Sequence, residues 1–191
     1  MEKQTVDSPL SLAIIGLLSI RPMSGYDLRK IFLTTGMKAF SASPGAIYPA
    51  LRRLEKDGRI EGKVERKTTL RPRMVFTLSQ QGRAAFVESL TRPVKREDVV
   101  RRMDNLLLRF SFMSDLVGID KIADFLRAFS TETEGYLREL EAEIREYAPG
   151  LSFSGRAALK QGIESFRATA RWARKTLAEL KKRHSMKGGN K

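Results

Sequence analysis

The most informative stretch of this sequence is SPGAIYPALRRLEKDGRI, residues 43–60. Its opening Ser-Pro-Gly is a helix-capping signature, and the glycine at position 58 is placed to end the helix. Apolar residues four and three apart predict a stripe that faces the core: Ile47, Leu51 and Leu54. Polar residues are left for the other faces: Tyr48, Arg52, Arg53 and Lys56. The stretch therefore predicts an amphipathic helix with a cationic outer face.

Two further helices are predicted upstream. Ser8 can cap the first and Pro9 can open it, because the missing N–H of proline costs nothing at that position. Leu10–Ile20 is almost wholly apolar, which is typical of a helix at the centre of a core. Ser24 then caps a second helix that runs to about Thr35.

A basic hairpin is predicted downstream. Residues 60–66 and 74–78 alternate apolar and polar side chains with period two, so both are expected to form half-buried strands. From Arg59 to Arg73 there are six basic residues and two acidic ones, and a fourth helix is expected from Ser79 to about Leu90. Three helices followed by such a hairpin form a winged helix-turn-helix pattern. In it, the third helix can enter a major groove while the hairpin tip reaches flanking phosphates.

A different periodicity begins after Thr91-Arg92-Pro93. Apolar residues then recur almost without interruption four and three apart, from Val99 to Leu180. This repeat indicates long helices that pack as in a coiled coil, with apolar stripes too long for one hairpin to bury. We therefore expect a mainly α protein in three parts: a winged helix-turn-helix DNA-binding domain with a two-stranded wing (1–92), a helical, coiled-coil-like dimerisation domain (93–184) and a disordered basic tail (185–191).

Composition narrows the function. The chain has 36 Lys and Arg against 22 Asp and Glu, a net charge of +14, which predicts a polyanionic partner. It has no cysteine and one histidine, His184, so thiol chemistry, a Ser-His-Asp triad and a zinc site are not expected. No cofactor is expected either. The longest mostly apolar stretch has 11 residues, too short to span a bilayer. We expect a cytoplasmic protein that is not an enzyme.

The sequence also resembles the PadR-type transcriptional regulators. Residues 43–60 look like the signature of that family, and three other segments match it in order: LAIIGLLSIRPMSGYDL (12–28), PRMVFTLSQQGR (72–83) and LLLRFSF (106–112). The resemblance implies a winged-helix domain that binds double-stranded DNA, a homodimer built by the C-terminal helices and, usually, repression. Two features depart from the family. The second wing strand carries Val75-Phe76 where tyrosines are frequent, and the wing tip has no glycine.

Carried over to this chain, the resemblance implies a set of DNA contacts. Ser43 and the first N–H groups of its helix suit a phosphate. Tyr48 would donate its hydroxyl to a phosphate or stack on sugar and base, although a core tyrosine is the alternative. The remaining candidates are Tyr26 beside the DNA backbone, Arg52 as a guanine or backbone contact, Arg53 and Lys56 as phosphate contacts or solvated charges, and the wing residues Lys67, Arg71 and Arg73. Arg73 has an alternative partner in Glu65 across the hairpin, and Tyr26 could instead pack on the third helix.

A ligand hypothesis rests on the aromatic residues of the long helices. Trp172 is the only tryptophan and falls outside the apolar stripe of its helix, so it faces a partner subunit, the N-terminal domain or a ligand cavity. Phe166 lies on the same helix. The resemblance suggests a small aromatic or otherwise apolar effector, for which these two residues are the candidate contacts.

The leading interpretation is a dimeric, sequence-specific regulator that acts on a pseudo-palindromic operator. One alternative is a protein-interaction module that kept the winged helix and lost DNA binding, and the basic wing argues against it. Another is a non-specific nucleic-acid binder. An RNA binder would be expected to carry stacking aromatics on a sheet, and a two-stranded wing offers few.

Overall fold

The computed structural model describes residues 8–35, 43–66, 72–147 and 150–188. The chain forms two compact units, Met1–Leu90 and Thr91–Lys191, so the division falls two residues before the expected one. Within the described ranges no helix is both long enough and apolar enough to cross a membrane. The same ranges contain no group of three or more acidic or histidine side chains that could hold a metal ion.

Four helices form most of the first unit: α1 (Pro9–Ile20), α2 (Gly25–Thr34), α3 (Pro44–Lys56) and α4 (Gln80–Thr91). Ser8 caps α1, with its side chain accepting a hydrogen bond from the N–H of Ser11, as the sequence predicted. Seven consecutive residues of α1, from Leu12 to Leu18, are buried, so this helix is the centre of the core. It packs against α3 and against the sheet.

The sheet has three antiparallel strands: β1 (Met23–Ser24), β2 (Ile60–Glu65) and β3 (Arg73–Leu78). Their order is β1-β3-β2, so β2 lies at one edge. The two residues of β1 pair with Phe76 and Val75 of β3, which joins the hairpin to the segment just before α2. The expected two-stranded wing is confirmed as the β2–β3 hairpin, and the short strand β1 joins it to the start of α2.

The turn from α3 into β2 depends on Gly58, whose φ of +66° is the left-handed conformation that favours glycine. Ser79 fastens this turn to the start of α4. Its hydroxyl donates to the carbonyl oxygen of Gly58 at 2.6 Å and accepts from the N–H of Gly82 at 2.9 Å. The start of α4 is thereby held against the turn that follows α3.

The second unit is entirely helical where it is described: α5 (Arg96–Arg101), α6 (Met103–Ser111), α7 (Ile119–Tyr147) and α8 (Phe153–Gly188). The long helices α7 and α8 run antiparallel, because Phe129 meets Trp172 and Tyr136 meets Phe166. The helix α8 extends to Gly188, so the expectation of disorder from residue 185 is wrong for residues 185–188. Residues 189–191 of that tail lie outside the described ranges.

Ion pairs fasten the helices of this unit. Arg167 and Arg174 of α8 pair with Glu141 and Glu134 of α7, each at 2.5 Å. The guanidinium of Arg96, on α5, pairs with Glu132 at 3.0 Å and with Glu139 at 2.5 Å. It lies across α7 at Gly135, where a β-carbon would collide with it. Gly135 is therefore needed for the close approach of this arginine.

Candidate nucleic-acid interface

Helix α3 separates its buried and cationic faces as the sequence predicted. Ile47, Leu51 and Leu54 are buried, as is Ala50. The candidates on the opposite side are exposed: Tyr48, Arg52, Arg53 and Lys56. Tyr48, Arg52 and Lys56 are four residues apart, so they share one face over about 12 Å of helix. Within the described residues none of the three basic side chains forms an ion pair, so this face presents unneutralised cations.

Tyr48 is both a packed and an exposed residue. Its ring lies against the first residue of α2, because a β-carbon at Gly25 would be 2.6 Å from Tyr48 Cε1. The side chain is nevertheless 44% exposed. Tyr48 therefore has features of both expected roles: one side of its ring packs on α2, and the rest remains accessible to a ligand.

The start of α2 carries the candidate contact Tyr26, which is 67% exposed. Ser24 and Asp27 form a capping box, in which the Asp27 carboxylate accepts from the backbone N–H of Ser24 at 2.9 Å and from its hydroxyl at 2.7 Å. Burial opposes ionisation of Asp27. The hydrogen bonds from Ser24 and the charges of Arg73 and Arg21 outweigh it and keep the pKa of this carboxyl below its usual value.

Arg73 ties the wing to this capping box. Its Nε donates to Glu65 Oε2 at 2.7 Å across the hairpin, and its NH1 lies 3.7 Å from Asp27 Oδ2. The hydrogen bond to Glu65 is the main reason why the pKa of the Arg73 guanidinium is raised. Arg73 is therefore a bridge between β2, β3 and α2, the alternative that its position opposite Glu65 had suggested.

The wing carries further exposed cations. Lys63 and Arg66 are exposed on β2 and just after it. Neither was among the predicted contacts, although the alternation along β2 puts Lys63 on the polar face. The predicted contacts Lys67 and Arg71 lie outside the described residues. Ser43 is exposed at the N-terminus of α3, where its carbonyl accepts from the N–H groups of residues 46 and 47.

The two candidate ligand residues of α8 take part in separate ring contacts. Trp172 meets Phe110 edge-on at 5.3 Å and Phe129 at 6.0 Å between ring centroids, and it remains 36% exposed. Phe166 instead meets Tyr136, at 4.9 Å. These ring contacts of Trp172 are with α6 and α7 of its own unit, which is none of the three environments expected from the sequence.

Comparison with known proteins agrees with this geometry. Residues 14–88 match the model of the "Transcriptional regulator PadR-like family". The match begins within α1, includes the sheet and ends within α4. This part of the chain is similar to the PadR-like family. The match covers the residues that form the cationic face of α3 and both strands of the wing.

Three relatives illustrate the likeness. The "Negative transcriptional regulator PadR" of Bacillus subtilis is 30% identical over 107 residues, which are 56% of this chain and 58% of that protein. A crystal structure of a PadR-like transcriptional regulator from Bacillus cereus is 27% identical, with 90% of this chain and 98% of that chain covered and a TM-score of 0.40. One of Bacillus subtilis PadR in complex with operator DNA is 23% identical, with 88% and 96% covered and a TM-score of 0.41. The aligned part thus spans less than two thirds of the curated relative.

Proposed function

We propose that this chain is a sequence-specific, DNA-binding transcriptional regulator and not an enzyme. The observation that carries the proposal is the exposed cationic face of α3, flanked by a basic wing, within a unit that matches the PadR-like family model. An α-helix fits a major groove, where each base pair has its own pattern of donors and acceptors. Arg52, at the middle of the face, is the proposed base contact.

The surrounding side chains supply affinity and register rather than sequence choice. Arg53 and Lys56 are proposed to contact phosphates, as are Lys67 and Arg71 of the wing. Ser43 and the first turn of α3 would receive another phosphate, since a helix N-terminus attracts anions. Tyr26 and Tyr48 would place their hydroxyls near the backbone of the duplex. Arg73 would contribute its charge while holding the wing in place.

The proposed active form is a homodimer built by the second unit. Its long helices bury their apolar stripes only in part: Leu159, Ile163 and Phe166 remain partly accessible, and Tyr147 and Phe153 are 63% and 81% exposed. A second copy would cover them. A two-fold dimer presents two α3 helices one or more DNA turns of about 34–36 Å apart, so the operator would be pseudo-palindromic.

Two experiments test this function. Selection from a pool of random duplexes should enrich one inverted repeat, whereas a non-specific nucleic-acid binder or a protein-interaction module would enrich none. Light scattering should find the full chain dimeric and residues 1–92 monomeric. A monomeric full chain, or a truncated chain that dimerises equally well, would refute the assignment of dimerisation to the second unit.

Repression is the expected direction of control, because the curated relative is a negative regulator. A reporter gene behind the selected operator should fall in expression when the protein is supplied. Such a regulator would act in the cytoplasm, where its DNA target lies.

A small aromatic effector is proposed to bind near Trp172. The indole borders a cluster of rings, Phe110, Phe125 and Phe129, and the guanidinium carbon of the buried Arg109 lies 5.1 Å from the centroid of the Phe125 ring. Apolar surroundings with few polar groups are typical of ligand sites. Phe166 would be a second contact. An effector could release DNA only by binding the two conformations of the protein with different affinities.

The effector proposal is tested by titration with a panel of aromatic carboxylic acids and cationic aromatic dyes. Because Trp172 is the only tryptophan, its fluorescence reports on this site alone. Quenching should occur over the same concentrations that dissociate DNA. If the whole panel leaves both the fluorescence and the DNA complex unchanged, Trp172 is a structural residue and the regulator has no effector of this chemistry.

A further inference from the structure

The cationic face of α3 is interrupted by one carboxylate, Glu55. It is exposed, and along the helix it follows Arg52 and Arg53 and directly precedes Lys56. A negative charge on a surface that binds phosphates weakens the attraction. The position of Glu55 therefore has to be explained by something that this carboxylate does.

Glu55 is hydrogen-bonded to the wing. Its Oε1 accepts from the backbone N–H of Gly62 at 3.0 Å. Gly62 lies in the middle of β2, an edge strand, so the outer side of its backbone has no strand partner among the described residues. An ionised acceptor makes this hydrogen bond stronger than one between neutral groups.

Gly62 is also the residue that leaves room for this contact. A β-carbon there would lie 2.6 Å from Glu55 Oε1, 3.0 Å from Met74 Sδ and 3.1 Å from Phe76 Cε1. Met74 and Phe76 both belong to β3, and their side chains limit how far β2 could move to make room. A side chain at position 62 would therefore displace the Glu55 carboxylate.

We propose that Glu55 is a positioning residue that fixes the wing relative to α3, so that both elements meet one duplex in a single register. This inference rests on the proposed DNA-binding function. A wing held before binding loses less conformational freedom when its cations reach the phosphates. Glutamate can also read a cytosine amino group in the major groove, so a base-reading Glu55 is the competing role.

The link itself is tested in the free, full-length protein by amide hydrogen exchange at position 62. Glu55→Ala should speed this exchange by about tenfold, because the N–H loses its acceptor. Glu55→Gln keeps an acceptor oxygen and should restore slow exchange. The matched control is Glu61→Ala, which removes an exposed carboxylate from the neighbouring residue of β2 and should leave exchange at Gly62 unchanged. Equal exchange in Glu55→Ala and the wild type would overturn the proposal.

The consequence for DNA is tested with the selected duplex. Glu55→Ala should weaken binding by about tenfold, although it removes a repulsive charge, and Glu55→Gln should bind at least as tightly as the wild type. Glu61→Ala should not weaken binding. Lys63→Gln should cost less affinity in the Glu55→Ala background than in the wild type, because the wing is no longer held.

Other outcomes separate the possible failures. If Glu55→Gln loses affinity as Glu55→Ala does and the preferred base changes, Glu55 reads a base and the positioning role is wrong. If Glu55→Ala and Glu61→Ala have the same affinity and the same dependence on Lys63, the wing is not positioned by Glu55. If the wild type prefers no duplex, the proposed function fails, while the exchange measurement still decides whether the link exists.

Discussion

The ring of Tyr48 packs so closely on Gly25 that a side chain at position 25 would collide with it. Carbon atoms in contact lie about 3.5–4.0 Å apart, whereas the β-carbon of Gly25→Ala would lie 2.6 Å from Tyr48 Cε1. The ring must therefore retreat by about 1 Å. Gly25 is the first residue of α2, and its backbone conformation suits alanine. The substitution thus isolates the collision with the ring.

Two opposing terms set the size of the effect. Replacing glycine by alanine in a compatible conformation stabilises by about 0.4–1 kcal/mol, and overpacking costs about 1–3 kcal/mol. Because Tyr48 is 44% exposed, its ring can give way, which keeps the cost at the lower end. The difference between the two terms is a loss of at most about 0.6 kcal/mol in the free energy of unfolding, instead of the gain expected without the ring. Gly25→Ala should also weaken DNA binding as much as Tyr48→Ala does, because the phenol is displaced.

Urea denaturation of a double-mutant cycle measures the collision directly. In the Tyr48→Ala background, Gly25→Ala should stabilise the protein by about 0.4–1 kcal/mol, since the obstacle is gone. The matched control is Gly45→Ala, near the start of α3, where a β-carbon would meet nothing within 4 Å and should stabilise. If Gly25→Ala stabilises the wild-type protein as Gly45→Ala does, the ring of Tyr48 does not rest on Gly25.

Substitutions at three further residues test the contacts that hold each unit together. Asp27→Ala should lower the free energy of unfolding by about 1 kcal/mol at neutral pH. Because the pKa of Asp27 is lowered in the folded state, its contribution to stability is complete at a pH above the pKa of the unfolded state and is lost as the pH falls through the pKa of the folded state. Urea denaturation should therefore show the stabilities of wild type and variant converging in acid. Ser79→Ala should cost about 1–2 kcal/mol in thermal denaturation and Ser79→Thr should recover part of it. Arg96→Ala should cost about 1 kcal/mol, less at high salt.

Local signals in the sequence were enough to predict the helices of the first unit. The Ser-Pro opening of α1 and the Ser24 cap of α2 act through neighbouring residues, so they are visible without the fold. The face of α3 followed from apolar spacing alone. By contrast, β1 has two residues, too few to show an alternating pattern, and its existence depends on pairing with β3.

The contacts that join separate elements could not be predicted in the same way. The seat of Tyr48 on Gly25 and the hydrogen bond from Gly62 to Glu55 arise where segments far apart in sequence approach closely. A glycine in a sequence indicates that another group can approach the backbone closely at that position, but it does not indicate which group does so. The end of α8 was misjudged for another reason. Residues 185–188 show no apolar pattern, yet they continue a helix whose earlier turns pack on α7.

In the proposed complex, α3 reads a DNA sequence through Arg52 while the surrounding cations bind the backbone. Fluorescence anisotropy between 50 and 200 mM salt can separate these two roles, with wild type and Arg52→Ala each measured on the selected duplex and on a scrambled duplex of the same composition. The wild type should lose about 10³-fold in affinity over this salt range. Arg52→Ala should lose about 1–3 kcal/mol of binding free energy on the selected duplex and much less on the scrambled one. Equal affinity for the two duplexes at every salt concentration would contradict sequence reading by α3.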